Sequence, residues 1–185
     1  MLINRAEALE LLENNLGNIN LIRHCLASEA VLRALAIDRG EDPDLWGMTG
    51  LLHDIDYELT SDEPEKHGMV AAEMLADYLP SESIHAIQSH NSEYTGIERE
   101  SDFDYLLAAG ESITGLIVAV ALVYPDRKLA SVKPKSVLKR MNMSAFARSV
   151  PRDTIRDCSK AGYDLDVFVG IALVAMKGIA EDIGL

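Results

Sequence analysis

Histidine is the residue type whose number and position first point to chemistry in this chain. All five histidines lie in the first half of the 185 residues: His24, His53, His67, His85 and His90. Imidazole is a common protein ligand for zinc, iron, nickel and copper, while carboxylates suit manganese and magnesium. His53 is followed directly by Asp54, and a carboxylate behind an apolar run is costly to bury unless it is paired or bound to metal. The pair alone fits a metal site and a solvated helix terminus equally well.

The residues around this pair resemble the HD superfamily of metal-dependent phosphohydrolases. The family's stretch of two hydrophobic residues, an adjacent His-Asp and an isoleucine is similar to Leu51-Leu52-His53-Asp54-Ile55-Asp56. Its minimal pattern also places a histidine before the pair and an aspartate after it. His24 and Glu111 match these positions, with glutamate standing where the family has aspartate. The resemblance covers about residues 18–125.

The resemblance also implies a ligand set. Family members with two metals carry two further histidines between the pair and the last acid, and His67 and His90 occupy this place. One or two divalent ions would then be held by His24, His53, Asp54, His67, His90 and Glu111. The sequence does not distinguish Mn, Fe, Co, Ni, Zn and Mg. Asp54 would bridge two ions, and His53 and Asp54 would form the catalytic centre around a metal-activated water.

Two other polar residues near this set are predicted to have different roles. His85 lies five residues before His90, about 140° around a helix, so we expect His85 not to be a ligand. Asp56 either orients the water or caps the next turn, and we favour the cap. Asp102 and Asp104 could replace Glu111 as the last acid, but acids at a helix start are favoured by the helix dipole without any metal.

A basic segment follows the matched region. Ten of the 17 lysines and arginines fall within residues 127–160, although the chain has a net charge of −13. Arginine binds phosphate with two parallel hydrogen bonds and lysine binds it as a point charge. Lys133 and Lys135 are the first candidates to bind a substrate phosphate, and Arg148 is the next. The same residues could instead form a solvated face, or pair with acidic surface elsewhere, including that of another subunit.

Helices must position these side chains. Alanine, leucine and isoleucine supply most of the apolar residues, aromatics are only 5%, and strand-like alternation is weak. We therefore predict an all-α single domain over residues 1–185, an HD-type bundle of about eight helices. Its metal-binding core would span about residues 18–125, with a basic, C-terminal helical extension at about 126–185. The helices that carry the candidates are predicted at about 18–40, 42–54, from 60–63 onward through His67, 80–91 and 103–123.

Composition and charge narrow the function. An acidic chain repels duplex nucleic acid, so a small phosphorylated substrate is the expected partner. Two distant cysteines and a start without a secretory signal pattern favour the cytoplasm. The longest apolar run, residues 113–124, is too short to cross a bilayer, so no membrane partner is expected. A homodimer is possible.

Three functions fit these residues. The first is divalent-metal-dependent hydrolysis of a small phosphate ester, such as a nucleotide or a related phosphomonoester or phosphodiester. The second is a di-iron oxygenase of the same superfamily, which uses the same kind of ligand set. The third is a degenerate protein that binds nucleotide or metal without turnover, because Glu111 replaces the usual aspartate.

Overall fold

A computed structural model describes residues 3–185. Within them the fold is all-α, as predicted, with ten α-helices, two short 3-10 helices and no strand. The α-helices are α1 (Arg5–Asn15), α2 (Ile19–Arg39), α3 (Pro43–Leu52), α4 (Met69–Leu75), α5 (Ser81–His90), α6 (Ser92–Thr95), α7 (Asp102–Leu122), α8 (Pro134–Met141), α9 (Arg152–Arg156) and α10 (Leu165–Gly178). The 3-10 helices are Leu129–Ser131 and Asp157–Ala161.

Side-chain caps mark the starts of α1, α2, α3 and α7. Asn18 caps α2, and Asp42 caps α3 with Pro43 in the first turn. Ser101 and Asp104 form a capping box at the start of α7. These side chains accept hydrogen bonds from backbone N–H groups that the first helical turn leaves without a partner. The predicted starts of these three helices are therefore confirmed to within about one residue.

One predicted helix boundary is wrong. The helix expected to begin at residues 60–63 and to include His67 begins only at Met69, and residues 53–68 form a series of turns. Gly68 precedes α4 in a left-handed conformation with φ of 86°, which a helix cannot continue through. The last helix, α10, ends at Gly178, after which the chain continues in turns.

The two 21-residue helices α2 and α7 form the centre of the bundle. Helix α3 packs across α2, and α5, α9 and α10 pack on α7. Gly50 allows the crossing of α3 and α2, since a Cβ atom there would lie 2.9 Å from the carbonyl oxygen of Ser28. The C-terminal helices contribute Val137, Phe168 and Leu173 to the same buried cluster as the central helices. One hydrophobic core therefore holds both parts of the chain together.

Helix α7 is long and apolar enough, by length and composition, to cross a membrane. Two-thirds of its most apolar window is nevertheless buried inside the bundle, where leucines and isoleucines of α7 contact the other helices. The apolar character of α7 is thus explained by its position at the centre of the core.

Candidate metal centre

The six predicted metal ligands converge beside the two central helices. His24 comes from α2 and Glu111 from α7, which places them on neighbouring helices of the core. His53 and Asp54 follow α3, where the chain leaves helical geometry, and both are buried. The remaining two ligands, His67 and His90, come from the turn before α4 and from the last residue of α5.

Asp54 lies at the middle of this group. Its Oδ1 atom is 3.3 Å from Nε2 of His53, 3.2 Å from Nε2 of His67 and 3.5 Å from Nε2 of His90. Its Oδ2 atom faces the other side, 3.5 Å from Nε2 of His24. Glu111 completes this second side, with Oε2 at 3.7 Å from the same His24 nitrogen. The two carboxylate oxygens of Asp54 therefore face two separate groups of ligands.

Every one of the four histidines is oriented through its Nδ1 atom. Nδ1 of His53 lies 2.9 Å from the carbonyl oxygen of Gly50, and Nδ1 of His90 contacts the carbonyl oxygen of Ile87. A carbonyl oxygen can only accept, so both rings must carry their proton on Nδ1. Their Nε2 atoms are then left with a free lone pair, which is the form of imidazole that binds metal.

The other two histidines have the same tautomer for similar reasons. Nδ1 of His67 donates to Oδ1 of Asp56 at 2.8 Å. Nδ1 of His24 lies 2.9 Å from Oγ1 of Thr114, and that hydroxyl donates its own proton to the carbonyl oxygen of Glu111. Thr114 must therefore accept from His24, which again leaves the lone pair on Nε2.

This donor set fits a divalent cation. Nε2 of His67 and Nε2 of His90 lie 3.1 Å apart, and both face the carboxylate of Asp54. Nε2 of His53 is buried and finds no hydrogen-bond partner among residues 3–185. Imidazole lone pairs and a carboxylate that point at one another repel unless a positive charge lies between them, and without a metal a proton on His67 supplies that charge. The nitrogen and oxygen donors suit first-row transition metals, and the structure leaves the identity of the ion open.

The pKa values of the cluster depend on burial and on the charges and hydrogen bonds of the neighbouring ligands. Burial lowers the pKa of His53 to about 3, so this ring is neutral and its lone pair is available. Burial also opposes protonation of His67, but hydrogen bonds to Asp54 and Asp56 outweigh it and raise the pKa of His67 to about 10. Burial opposes ionisation of Asp54, yet the surrounding histidines hold the pKa of Asp54 well below its ordinary value.

Glu111 differs from Asp54 in its surroundings. Burial, reinforced by the nearby charge of Asp54, raises the pKa of Glu111 to about 8, although a hydrogen bond from Ser112 opposes the shift. Ser112 donates its hydroxyl to Oε1 of Glu111, which leaves Oε2 turned toward His24. The longer glutamate side chain thus reaches the ligand group from α7, where the resemblance predicted an aspartate.

Asp56 has the capping role that the sequence favoured. Its Oδ2 atom accepts the backbone N–H groups of Gly68 and Ala71, each at 2.8 Å, at the start of α4. Its Oδ1 atom accepts from Nδ1 of His67. One fully buried carboxylate therefore both holds the turn before α4 and sets the tautomer of a ligand.

A cavity of about 500 Å³ opens directly onto these ligands, and we call it the metal cleft. Its wall includes His24, Asp54, His67, His90 and Glu111, together with side chains that the sequence did not single out. These additional residues include Tyr57, Asn91, Glu93, Tyr94, Arg99 and Ser112. Arg99 carried no sequence signal, because it stands as a single arginine in an irregular stretch outside the basic segment.

The candidate phosphate-binding cations of the basic segment lie outside the wall of the metal cleft. Lys133, Lys135 and Arg148 are exposed, and the structure does not place them in the wall of the metal cleft. Lys135 lines a different cavity beside α8. Arg148 directly precedes Ser149, and Ser149 is part of the cleft wall.

The residues set aside as ligands have other partners. His85 contacts Asp104 through Nδ1 at 3.1 Å, outside the metal centre. Asp104 belongs to the capping box of α7, and Asp102 pairs with Arg39. Both acidic residues thus act at the helix start, and Glu111 remains the acid of α7 that reaches the ligands.

Parts of two known proteins are similar in sequence to this chain. Ribonuclease Y of Enterococcus faecalis (strain ATCC 700802 / V583) is 32% identical over 96 residues, which are 51% of this chain and 18% of that protein. Ribonuclease Y of Latilactobacillus sakei subsp. sakei (strain 23K) has the same identity and coverage. The chain therefore spans less than a fifth of the length of these relatives. No solved structure matches the chain.

The family comparison covers a larger part of the chain. The family described as HD domain, whose members are generally metal-dependent hydrolases, matches residues 21–121. This segment is more than half of the chain and contains all six converging ligands. The chain belongs to the HD domain family.

Proposed function

We propose that this protein is a divalent-metal-dependent phosphohydrolase that acts on a small phosphate ester. The observation that carries the proposal is the convergence of four histidines and two carboxylates, five of which line an open cleft while His53 is fully buried beside them. A metal kept only for stability is usually enclosed by its protein ligands, whereas a catalytic metal keeps a position open to substrate. The cleft supplies that access.

The arrangement of donors supports two ions. His24 and Glu111 would hold one on the Oδ2 side of Asp54, and His67 and His90 would hold the other on the Oδ1 side, with His53 close to both. Divalent ions of this kind lower the pKa of bound water and polarise a phosphoryl oxygen. The hydrogen bonds at each Nδ1 atom keep the four rings fixed in the orientation that ligation needs.

Two protein groups can act beyond ligation. Glu111 holds a proton near neutral pH when no metal is bound, and Ser112 orients it toward the ligands. Asn91 donates to the carbonyl oxygens of Pro64 and His67, so it ties the end of α5 to the turn that carries His67. These contacts keep two separate chain segments in register around one centre.

The proposal is tested with protein stripped by a chelator and reloaded with manganese, cobalt, nickel, zinc or iron. We expect hydrolysis of p-nitrophenyl phosphate or bis-p-nitrophenyl phosphate only after reloading, with activity abolished in His53→Ala and Asp54→Ala. Asp62→Asn, at an exposed position away from the cleft, is the matched control and is expected to retain activity. Folded, metal-loaded protein without any phosphoesterase activity would contradict the proposal.

The likeness to ribonuclease Y favours adding a phosphodiester of RNA to the substrate panel. A ribonucleotide phosphodiester presents the same kind of phosphoryl centre to the metal as the other esters of the panel. A short single-stranded RNA is the suitable probe, because the acidic chain disfavours a duplex.

The nitrogen-rich ligand set also supports the di-iron oxygenase alternative, since imidazole suits iron. Iron content and oxygen consumption of protein purified with and without air separate the two chemistries. Lys133, Lys135 and Arg148 stay a prediction as phosphate-binding residues. A higher KM in the combined Lys133→Met, Lys135→Met, Arg148→Met variant would support it.

A further inference from the structure

The charge of the metal cleft is unusual for a protein that handles phosphate. Within the part of the chain that the structure describes, Arg99 is the one lysine or arginine in its wall. Glu93 lies in the same wall, outside the metal ligands. The basic segment lines this wall with Ser149, Pro151 and Thr154 but with none of its lysines or arginines, although it holds most of the chain's cations. Apart from the metal itself, the cleft therefore offers a single fixed positive charge.

Arg99 is held rigidly in place. Its Nε atom donates to the carbonyl oxygen of Ser89 at 3.1 Å, and its Nη2 atom donates to the carbonyl oxygen of His90 at 2.7 Å. The side chain is only 11% exposed. Because both carbonyls belong to the end of α5, the guanidinium has a fixed position relative to the ligand His90.

The remaining terminal nitrogen of Arg99, Nη1, has a long ion pair with Asp157 and no hydrogen-bond partner among the described residues. The nearest acidic partner of Nη1 is Oδ2 of Asp157, at 3.6 Å, which is beyond hydrogen-bond distance. Asp157 is itself paired with Lys160, whose Nζ lies 3.1 Å from the other carboxylate oxygen. An N–H group of Arg99 is thus left without a strong partner beside the metal ligands.

Two tyrosines, Tyr57 and Tyr94, give the same wall an aromatic surface. The ring of Tyr57 lies 5.3 Å from the ring of His67, at 85°, and Tyr57 remains 45% exposed. Tyr94 is 57% exposed. Exposed aromatic rings beside a polar centre offer stacking and apolar contact to a planar group.

We propose that the metal cleft selects a substrate with one phosphoryl group on a compound that carries a planar ring, such as a nucleoside monophosphate, and that Arg99 is the anchor for the phosphate. This inference rests on the proposed function. Sites that hold nucleoside triphosphates surround the added phosphates with further cations and backbone N–H groups. Here each added phosphoryl group would bring negative charge into a wall that, among the described residues, holds Glu93 and no second lysine or arginine.

The size of the cleft agrees with a compact substrate. At about 500 Å³ it falls in the lower half of the range of about 300–1,000 Å³ that is typical of small-molecule pockets. Such a volume accommodates one phosphate, a sugar and a ring.

The test uses metal-loaded protein and one adenosine series with one, two or three phosphates, together with ribose 5-phosphate. We expect the highest kcat/KM for the monophosphate and a higher KM for ribose 5-phosphate, which lacks the ring. Arg99→Met should lower kcat/KM for the monophosphate about 10- to 100-fold, mainly through KM, because a charged hydrogen bond is lost. Arg99→Lys should recover part of the loss, and Arg127→Met, at an exposed arginine outside the cleft, should show none.

Two further measurements keep the inference testable. Elemental analysis of Arg99→Met should show the same metal content as the parent protein, which excludes an indirect effect through His90. Calorimetric titration with adenosine monophosphate reports binding even without turnover. Preference for the triphosphate, or unchanged monophosphate binding in metal-loaded Arg99→Met, would overturn the inference while leaving the phosphohydrolase proposal intact. Absence of activity on every ester, with monophosphate binding that still depends on Arg99, would overturn the proposed function alone.

Discussion

Replacement of Asp56 by asparagine tests whether a buried carboxylate controls the metal centre from outside it. In the native protein one oxygen of Asp56 accepts two backbone N–H groups and the other accepts Nδ1 of His67, all at 2.8 Å. Asparagine has one carbonyl oxygen and one NH₂ group, so it can satisfy only one side. If its oxygen faces His67, the NH₂ group faces the N–H groups of Gly68 and Ala71, and two buried donors lose their acceptor.

We expect the other orientation, because it leaves fewer buried donors without a partner. The NH₂ group then faces His67 and requires a lone pair on Nδ1, so the proton of the imidazole moves to Nε2. That nitrogen lies 3.2 Å from Asp54 and 3.1 Å from His90, where a metal ligand needs a lone pair. Loss of such an orienting partner lowers metal affinity about 10- to 100-fold. Loss of the charged acceptor destabilises the fold by about 1–3 kcal/mol.

Three measurements check this expectation for Asp56→Asn. Competition with a chromogenic chelator gives the metal Kd, nitrogen-15 NMR of the imidazoles gives the tautomer of His67, and thermal unfolding gives Tm. A stability loss of this size corresponds to a fall in Tm of about 2–12 °C for a domain of this length. Asp62→Asn is the control, because it makes the same chemical change at an exposed position. Parental metal affinity together with an unchanged His67 tautomer in Asp56→Asn would refute the reasoning.

Three other perturbations have defined outcomes. In a denaturant titration, Gly68→Ala should lower the free energy of unfolding by about 1–3 kcal/mol, since φ is 86° there and a Cβ atom would lie 2.8 Å from the carbonyl oxygen of Ile87. Gly170→Ala is the control: it lies inside α10 with open space around it and should not destabilise the protein. Tyr163 donates to Asp38 at 2.7 Å, and burial together with Asp38 raises the pKa of Tyr163 to about 12. The raised pKa means that this contribution to stability is complete below about pH 10, the unfolded value, and is lost as pH rises toward 12, so Tyr163→Phe should flatten stability over that interval; an equal slope in both proteins would contradict the assignment. A metal that binds the centre, added to chelator-treated protein at 100 times its Kd, should stabilise the folded state by about 2.7 kcal/mol in thermal unfolding. Asp54→Ala should remove this response. An unchanged Tm in the parent protein would contradict metal binding to the folded state.

Much of the helical framework could be predicted because its signals are local. Asn18, Asp42 and Ser101 cap the helices that follow them, through contacts that span two or three residues. The fourth helix was misplaced for the opposite reason. Its start depends on Asp56, which lies 12 residues before Gly68 and binds its backbone N–H across a turn. No helical periodicity records such a contact.

The metal ligands were identified through the family pattern around His53 and Asp54, and the structure brings all six together. Their spacing alone could not establish convergence, because it depends on how α2, α3, α5 and α7 pack. The common tautomer of the four histidines was also beyond the sequence. It is set by backbone carbonyls and by Thr114 and Asp56, whose partners lie up to 90 residues away.

The sequence by itself determined that the chain is helical, that it carries the His-Asp pattern of its family and that its cations are concentrated after residue 126. Only the tertiary structure decided which cation stands beside the metal ligands. Arg99 was unremarkable in the sequence, yet two carbonyl oxygens at the end of α5 fix it in the metal cleft. The physical reason is that composition and local spacing fix charge and helix propensity, whereas the position of a charge relative to a site depends on long-range packing of the helices that carry both.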